Sequence, residues 1–318
     1  MSLFVISQSI VILMVALYVL YKGVDIVLVG LKQFGSALGL RAQYYGAVLI
    51  GMVSALPVLA IALTSVFFGQ SLLVVPTIMG ANITILLLIG GMVALMGGSI
   101  VLWDDFLKTA LPVFCITTVL FVMSVLDGMI DRLESLLLLS TFCIYISYIY
   151  FNVKKEHAQL VTTPALKSVT IASFLYVLIG IIALLVGAKF SIDMASTIAT
   201  ALSIPLPLLC ISVLAFGASV PSLLLVLQAL KRKDLTFALG IIIGSSVFSL
   251  LVASGLAGMW SGNLVVSDIA INQGVPMVVV ASIVIFVSSL SKHFMRPVGM
   301  MMLMLFLFFL LKLGAYIG

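Results

Sequence analysis

The chain has 318 residues, 64% of them hydrophobic and 8% charged, with a formal net charge of +5. Soluble domains carry about 25% charged residues, so this composition excludes a fold that keeps its surface in water. Too little polar sequence remains for a separate catalytic or nucleic-acid-binding domain, and the basic residues fall in short junctions, as membrane topology requires.

Apolar runs of about 20 residues read as membrane helices, because lipid offers backbone polar groups no outside partner. Ten are predicted, over 3–30, 43–69, 72–98, 107–126, 133–152, 168–189, 194–229, 235–260, 273–291 and 296–316. The first run lacks a basic leader region and is long enough to span, so it is read as a helix and not as a cleaved signal. Val153–Lys167 is the one connector of soluble character. Lys32, Arg41, Lys108, Lys154, Lys155, Lys167, Lys231, Arg232, Lys233, Lys292 and Arg296 fall at alternate junctions, and the other junctions hold Arg132 and Lys189. By the positive-inside rule the first set is cytoplasmic, which places both termini outside. A chain this compact is expected in a prokaryotic inner membrane.

The sequence repeats at an offset of 164 residues: Gly23 with Gly187, Pro57 with Pro221, Gly80 with Gly244, Gly91 with Gly255 and Arg132 with Arg296. Residues 1–152 form one repeat of five helices, 153–167 the linker and 168–318 the second repeat. An odd number of helices per repeat forces the second to insert upside down. Inverted repeats are characteristic of secondary transporters, which bind substrate near the midplane on interrupted helices. Pro57 and Pro221 fall inside the second helix of each repeat and each removes a backbone hydrogen bond. With Gly80 and Gly244 they are the expected helix breaks, and the freed carbonyls are candidate cation ligands.

The strings Val53-Ser54-Ala55-Leu56-Pro57-Val58 and Gly217-Ala218-Ser219-Val220-Pro221-Ser222 are similar to the G-T-S-L-P-E string of the sodium/calcium exchanger family. Gly80-Ala81-Asn82-Ile83-Thr84-Ile85 and Gly244-Ser245-Ser246-Val247-Phe248-Ser249 resemble its G-S-N-I-F-(N/D) string. Gly23-Val24-Asp25 resembles the family's first-helix G-A-D, and Asp127 to Glu134 its D-G-x-I-x-R-x-E junction. The resemblance spans nearly the whole chain. It implies an all-α polytopic fold of ten helices in a 5+5 inverted arrangement, and a sodium/calcium antiporter.

The departures fall on the residues that the resemblance makes ligands. The acidic position after each proline is Val58 or Ser222, and the position ending each second string is Ile85 or Ser249. Calcium takes six to eight oxygens, usually with carboxylates among them, and a charge in low dielectric is costly without a compensating one. The candidate site residues Ser54, Asn82, Thr84, Ser219, Ser222, Ser245, Ser246 and Ser249 are all neutral. Such a site suits a monovalent cation, or a polar solute coupled to sodium or protons, better than Ca²⁺. The other possibility is a transport-inactive relative serving as a scaffold or partner-binding protein.

Asp25 is a candidate for proton or ion coupling, since ionisable residues within membrane helices default to function; its structural role would be to neutralise Lys22 or Lys32. Asp127, Asp131, Arg132 and Glu134 are expected to form an ion network at the outer face. Trp103, Tyr44 and Tyr45 suit an aromatic belt. Cys115, Cys143 and Cys210 are expected in the core, and His157 and His293 as solvated residues beside lysines. The sequence holds no catalytic triad, zinc motif or nucleotide fingerprint, so neither an enzyme nor a cofactor is expected.

Overall fold

The computed structural model describes residues 3–37, 43–97, 100–101, 110–157, 171–290 and 293–315. Most of the linker, and Arg41, Trp103, Asp104, Asp105, Lys108, Lys167 and Lys292, lie outside the described residues, as do the side chains of Lys32, Tyr44, Tyr45, Lys154, Lys155, His157 and His293.

Ten helices are present among the described residues. They are α1 (Leu3–Ala37), α2 (Gln43–Ser54 continued by Leu56–Phe67), α3 (Ser71–Gly97), α4 (Leu111–Val125), α5 (Arg132–His157), α6 (Ile171–Leu202), α7 (Leu206–Lys231), α8 (Leu235–Ser261), α9 (270–290) and α10 (Arg296–Gly314). Among the described residues nine stretches are long and apolar enough to cross a membrane, and α4 is a shorter apolar helix. The chain is therefore an integral multi-pass membrane protein. Helices α3 and α8 are almost wholly buried, whereas α1, α5, α6 and α10 turn most of their apolar side chains outward.

Short strands record the repeat. Strand β1 (Ile100–Val101) pairs antiparallel with β4 (His293–Phe294), and β2 (Met129–Ile130) with β3 (Leu264–Val265). Shifting the pair Ile100–Phe294 by the repeat offset gives Leu264–Ile130, and Val101–His293 gives Val265–Met129, which are the registers observed. The same exchange relates the contact of α1 with α6. A methyl group added at Gly23 would stand 2.9 Å from Leu184 and 3.1 Å from the carbonyl of Gly180. One added at Gly187 would stand 3.0 Å from Leu20 and 3.1 Å from the carbonyl of Ala16. Small residues let these two helices approach backbone to backbone, the usual way of packing helices in lipid.

The boundary expected at 189–194 is corrected. Lys189 and Asp193 sit well inside α6, which runs unbroken to Leu202. They form an ion pair one turn apart, Nζ to Oδ1 2.7 Å, so two charges that look like a junction are carried within a helix. The break comes at Ser203, with φ of 56°, followed by Ile204 and Pro205. Proline disfavours helix at the residue before it, which ends α6 and starts α7.

The expected ion network at Asp127 to Glu134 is also corrected. Glu134 N–H donates to Asp131 Oδ1 at 2.7 Å, and Asp131 N–H donates to Glu134 Oε2 at 3.0 Å. This reciprocal capping box satisfies free N–H groups at the start of α5. Asp127 Oδ1 accepts from Met129 N–H at 3.4 Å. Among the described residues the ion pairs are Lys22–Asp25 and Lys189–Asp193, and neither belongs to this group. Of the cysteines, Cys210 is buried, Cys115 is half-buried and Cys143 is exposed, so the core expectation fails at Cys143.

Candidate functional site

The four segments singled out in the sequence meet in the centre of the bundle. Helix α2 is interrupted at Ala55, with φ −90° and ψ 0°, and resumes at Leu56 with Pro57 in its first turn. Proline is tolerated there because the N–H it lacks would have no helical partner. Pro221 differs: it lies inside an unbroken helical segment, Ala215–Lys231. The expectation of a helix break thus holds beside Pro57 and not at Pro221. Gly80 and Gly244 are not breaks either, since both lie in regular α-helix. A methyl group at Gly80 would come within 2.0 Å of the Ile211 carbonyl oxygen, and at Gly244 within 2.1 Å of that of Val48. Their role is close approach of backbones across the repeat interface. Irregularity follows a few residues later, as π-helical turns at Thr84–Ile89 in α3 and Ser249–Ala253 in α8. Such turns recur at functional sites.

Within these four segments, side chain meets side chain across the repeats at two points. Ser54 Oγ lies 2.7 Å from Ser222 Oγ and donates to the Gly51 carbonyl at 2.7 Å. A hydroxyl has one proton, so Ser222 donates to Ser54 and Ser54 to Gly51. The second link runs from α3 to α8. Asn82 Nδ2 donates to Ser249 Oγ at 2.8 Å and to the Ile78 carbonyl at 3.1 Å. Because that carbonyl can only accept, the amide orientation is determined. Ser249 passes its proton to the carbonyls of Ser245 and Ser246, at 2.9 and 3.0 Å. Ser219 donates to Ala215 at 2.8 Å and lies 3.5 Å from the Ala81 carbonyl.

Asn82 Oδ1 and Ser246 Oγ are buried without a hydrogen-bond partner. These two positions are symmetry mates under the repeat offset. A buried polar group left unpaired costs about 1–3 kcal/mol. Ser65 Oγ, Gln70 Oε1, Thr117 Oγ1 and Ser191 Oγ are also buried without a partner, so it is the repeat relation that sets Asn82 and Ser246 apart. Thr84 and Ser245 are not drawn into these links: each donates to carbonyls of its own helix, Thr84 to Gly80 at 2.8 Å and Ser245 to Ile241 at 2.7 Å. Asp25 pairs with Lys22 at 3.3 Å, with both side chains substantially exposed, and is not among the hydrogen-bond partners of the network.

Sequence reading missed Thr118 and Ser282, whose hydroxyls lie 3.4 Å apart between α4 and α9. They too are separated by the repeat offset, so this contact lies on the axis relating the repeats. Applying the offset to the hydroxyl residues would have found it.

The described carboxylates are elsewhere. Asp25 and Asp193 are in ion pairs, Asp131 and Glu134 form a cap, and Asp127 accepts from the backbone in the turn before it. Asp234 caps α8 through Phe237 N–H at 3.0 Å, and Asp268 is exposed. Among the described residues no three of His, Cys, Asp and Glu come together.

A sequence profile described as sodium/calcium exchanger protein matches residues 8–151 and 172–313, one segment in each repeat. The chain belongs to the sodium/calcium exchanger family. Inner membrane protein YrbG of Escherichia coli is 24% identical over 230 residues, 70% of each chain. An uncharacterised membrane protein of Methanocaldococcus jannaschii is 24% identical over 295 residues, 92% of this chain and 94% of that one. Among solved structures, the sodium-calcium exchanger NCX_Mj soaked with sodium and strontium superimposes with a TM-score of 0.68 at 22% identity, over 95% of this chain and 98% of that one. At that identity the likeness concerns the fold, which is the ten-helix, two-repeat exchanger arrangement. Family membership makes this exchanger relative a secondary transporter of the exchanger type.

Proposed function

We propose that this exchanger relative carries a small monovalent cation, sodium foremost, and not Ca²⁺, through the site between α2, α3, α7 and α8. The observation that carries the reading is the pair of open acceptors, Asn82 Oδ1 and Ser246 Oγ, buried at symmetry-related positions in a neutral surround. Carbonyl and hydroxyl oxygens are hard ligands that suit alkali cations, while Ca²⁺ generally requires carboxylates. Among the described residues no carboxylate or histidine hydrogen-bonds to Ser54, Ser222, Asn82 or Ser249, which leaves these four without a proton carrier as partner. The residues Ser54, Ser219, Ser222 and Ser249 hold the four helices in register around the ligand, and alternating access breaks and remakes their links as one group of helices moves against the other. On this reading the basic junctions face the cytoplasm and both termini the outside.

The test is thermal stability of the purified protein in detergent, titrated with sodium, potassium, lithium and calcium chlorides against choline chloride at constant ionic strength. A ligand that binds the folded state alone stabilises it by RT ln(1 + [L]/Kd), so above Kd the melting temperature rises with the logarithm of ligand concentration. Stabilisation that rises with sodium concentration, exceeds that of choline and is absent from Asn82→Leu is the expected result. Stronger stabilisation by calcium would overturn the proposal. A second reading, a transport-inactive scaffold, is favoured by the apolar Val58 and Ile85 at ligand positions, and would show no cation dependence of any kind.

A further inference from the structure

The central site leaves the charged residues of α1 and α6 without a role. The Lys189 ammonium, paired with Asp193, stands 3.8 Å from the centroid of the Phe68 ring. Phe68 ends α2, and its neighbour Phe67 packs on Trp260 at the end of α8, ring centroids 4.7 Å apart. A cation over an aromatic face thus ties α6 to the core at one end of the bundle.

The repeat offset converts this contact into another. Lys189 maps onto Asp25, and Phe68 maps onto Arg232. The symmetry mate of a cation–π contact is therefore a carboxylate facing a guanidinium. Here that mate is open. Asp25 pairs with Lys22 of its own helix at 3.3 Å, and no Asp25–Arg232 ion pair occurs among the described residues.

Geometry gives the open pair a meaning. A half-turn about an axis in the membrane plane exchanges the repeats, and it also exchanges the two faces of the membrane. A molecule whose repeats differ in conformation has a partner state in which each repeat takes the other's shape. The repeats do differ: α2 is interrupted at Ala55, while its mate Ser219 lies in unbroken helix. We propose that Lys189–Phe68 and Asp25–Arg232 are two latches made in alternation, each holding the α1–α6 pair against the core in one of the two access states. In the partner state Lys189 leaves Phe68, and Asp25 exchanges Lys22 for Arg232, whose planar fork matches a carboxylate. The proposal rests on alternating access alone and is independent of which ion is carried.

Cross-linking tests it without a known substrate. In a background with Cys115, Cys143 and Cys210 replaced by alanine, one variant carries Phe68→Cys with Lys189→Cys and another carries Asp25→Cys with Arg232→Cys. Both are treated with a short bismaleimide in liposomes. The first pair should cross-link, which also certifies the fold. The second should cross-link in a separate, lesser population. Adding Lys189→Met to the second variant removes the opposing latch and should raise its yield about two- to fivefold, the shift matching an exposed cation–π contact. Adding Arg232→Ala to the first should raise its yield likewise. The proposal is overturned if the Asp25→Cys, Arg232→Cys pair fails to cross-link in the Lys189→Met background while the first pair does. It is equally overturned if all four substitutions in one chain yield both cross-links in the same molecule.

Discussion

At Ser54 and Ser222 the repeats meet through hydroxyls 2.7 Å apart, while at the symmetry-related Ala218 and Val58 the corresponding positions carry methyl groups. At Asn82 and Ser249 they meet through an amide and a hydroxyl, 2.8 Å apart. The mates there are Ser246, whose hydroxyl is unpartnered, and Ile85. All eight residues are buried. A backbone symmetrical enough to reproduce strand registers therefore frames a site whose side chains are polar in one set of positions and largely apolar in the mirror set. Architecture is carried by close backbone approach and repeats faithfully. Chemistry is carried by a few side chains and does not.

The largest expected effect separates these two layers. Gly80→Ala places a methyl group where the Ile211 carbonyl stands, and Gly244→Ala meets that of Val48, so backbones must part. Overpacking of a tight core costs about 1–3 kcal/mol and more when the neighbour is backbone. Both variants should elute as aggregates or melt far below the parent, whereas Gly46→Ala, which meets nothing within 4 Å, should be neutral or slightly stabilising. Scanning fluorimetry in detergent checks all three.

Next comes Asn82→Leu. Removing an orphaned acceptor returns about 1–3 kcal/mol, which offsets the lost amide bonds, so the melting temperature should change little while the sodium response disappears. A fall in both together would assign Asn82 a purely structural role.

Third is the serine pair. Ser54→Ala and Ser222→Ala should each cost about 1 kcal/mol, and a double-mutant cycle should return a coupling of about 0.5–1.5 kcal/mol. The mirror set sharpens this. Ala218→Ser alone adds a buried hydroxyl without a partner and destabilises; Val58→Ser does the same and removes methyl packing. Combined, they should recover part of that coupling, reduced because α2 is interrupted beside Ser54 while Ala218 lies in unbroken helix. Absence of coupling would show that the two sets of positions are not equivalent.

The smallest effect tests the caps. Asp234→Ala should cost about 1 kcal/mol, without altering the sodium midpoint. A shift of that midpoint would connect the entry of α8 to the site.

Much of this is legible in the sequence for physical reasons. Ten helices follow from apolar length, and the inverted repeat follows from Gly23, Pro57, Gly80 and their partners, because each serves a backbone need that few residues meet. The end of α6 is hidden because Lys189 and Asp193, spaced one turn apart, cancel each other inside the helix, while the true break rests on Ser203 and Pro205. Gly80 and Gly244 signal close contact and helix weakness by the same residue type, and only the facing carbonyls distinguish them. The site residues can be named as a set, but which hydroxyl meets which depends on packing between repeats. The pairing of Ser54 with Ser222 and the orphaned state of Asn82 and Ser246 are not written in either string alone.

The most direct test of a neutral, monovalent site is ion flux in proteoliposomes. Calcium uptake would be followed under an outward sodium gradient, beside sodium counterflow without calcium, in the parent and in Val58→Glu with Ser222→Glu. A neutral site should give sodium counterflow and no calcium uptake by the parent, with calcium uptake appearing only when both carboxylates are supplied. Saturable, sodium-driven calcium uptake by the unmodified protein would contradict it.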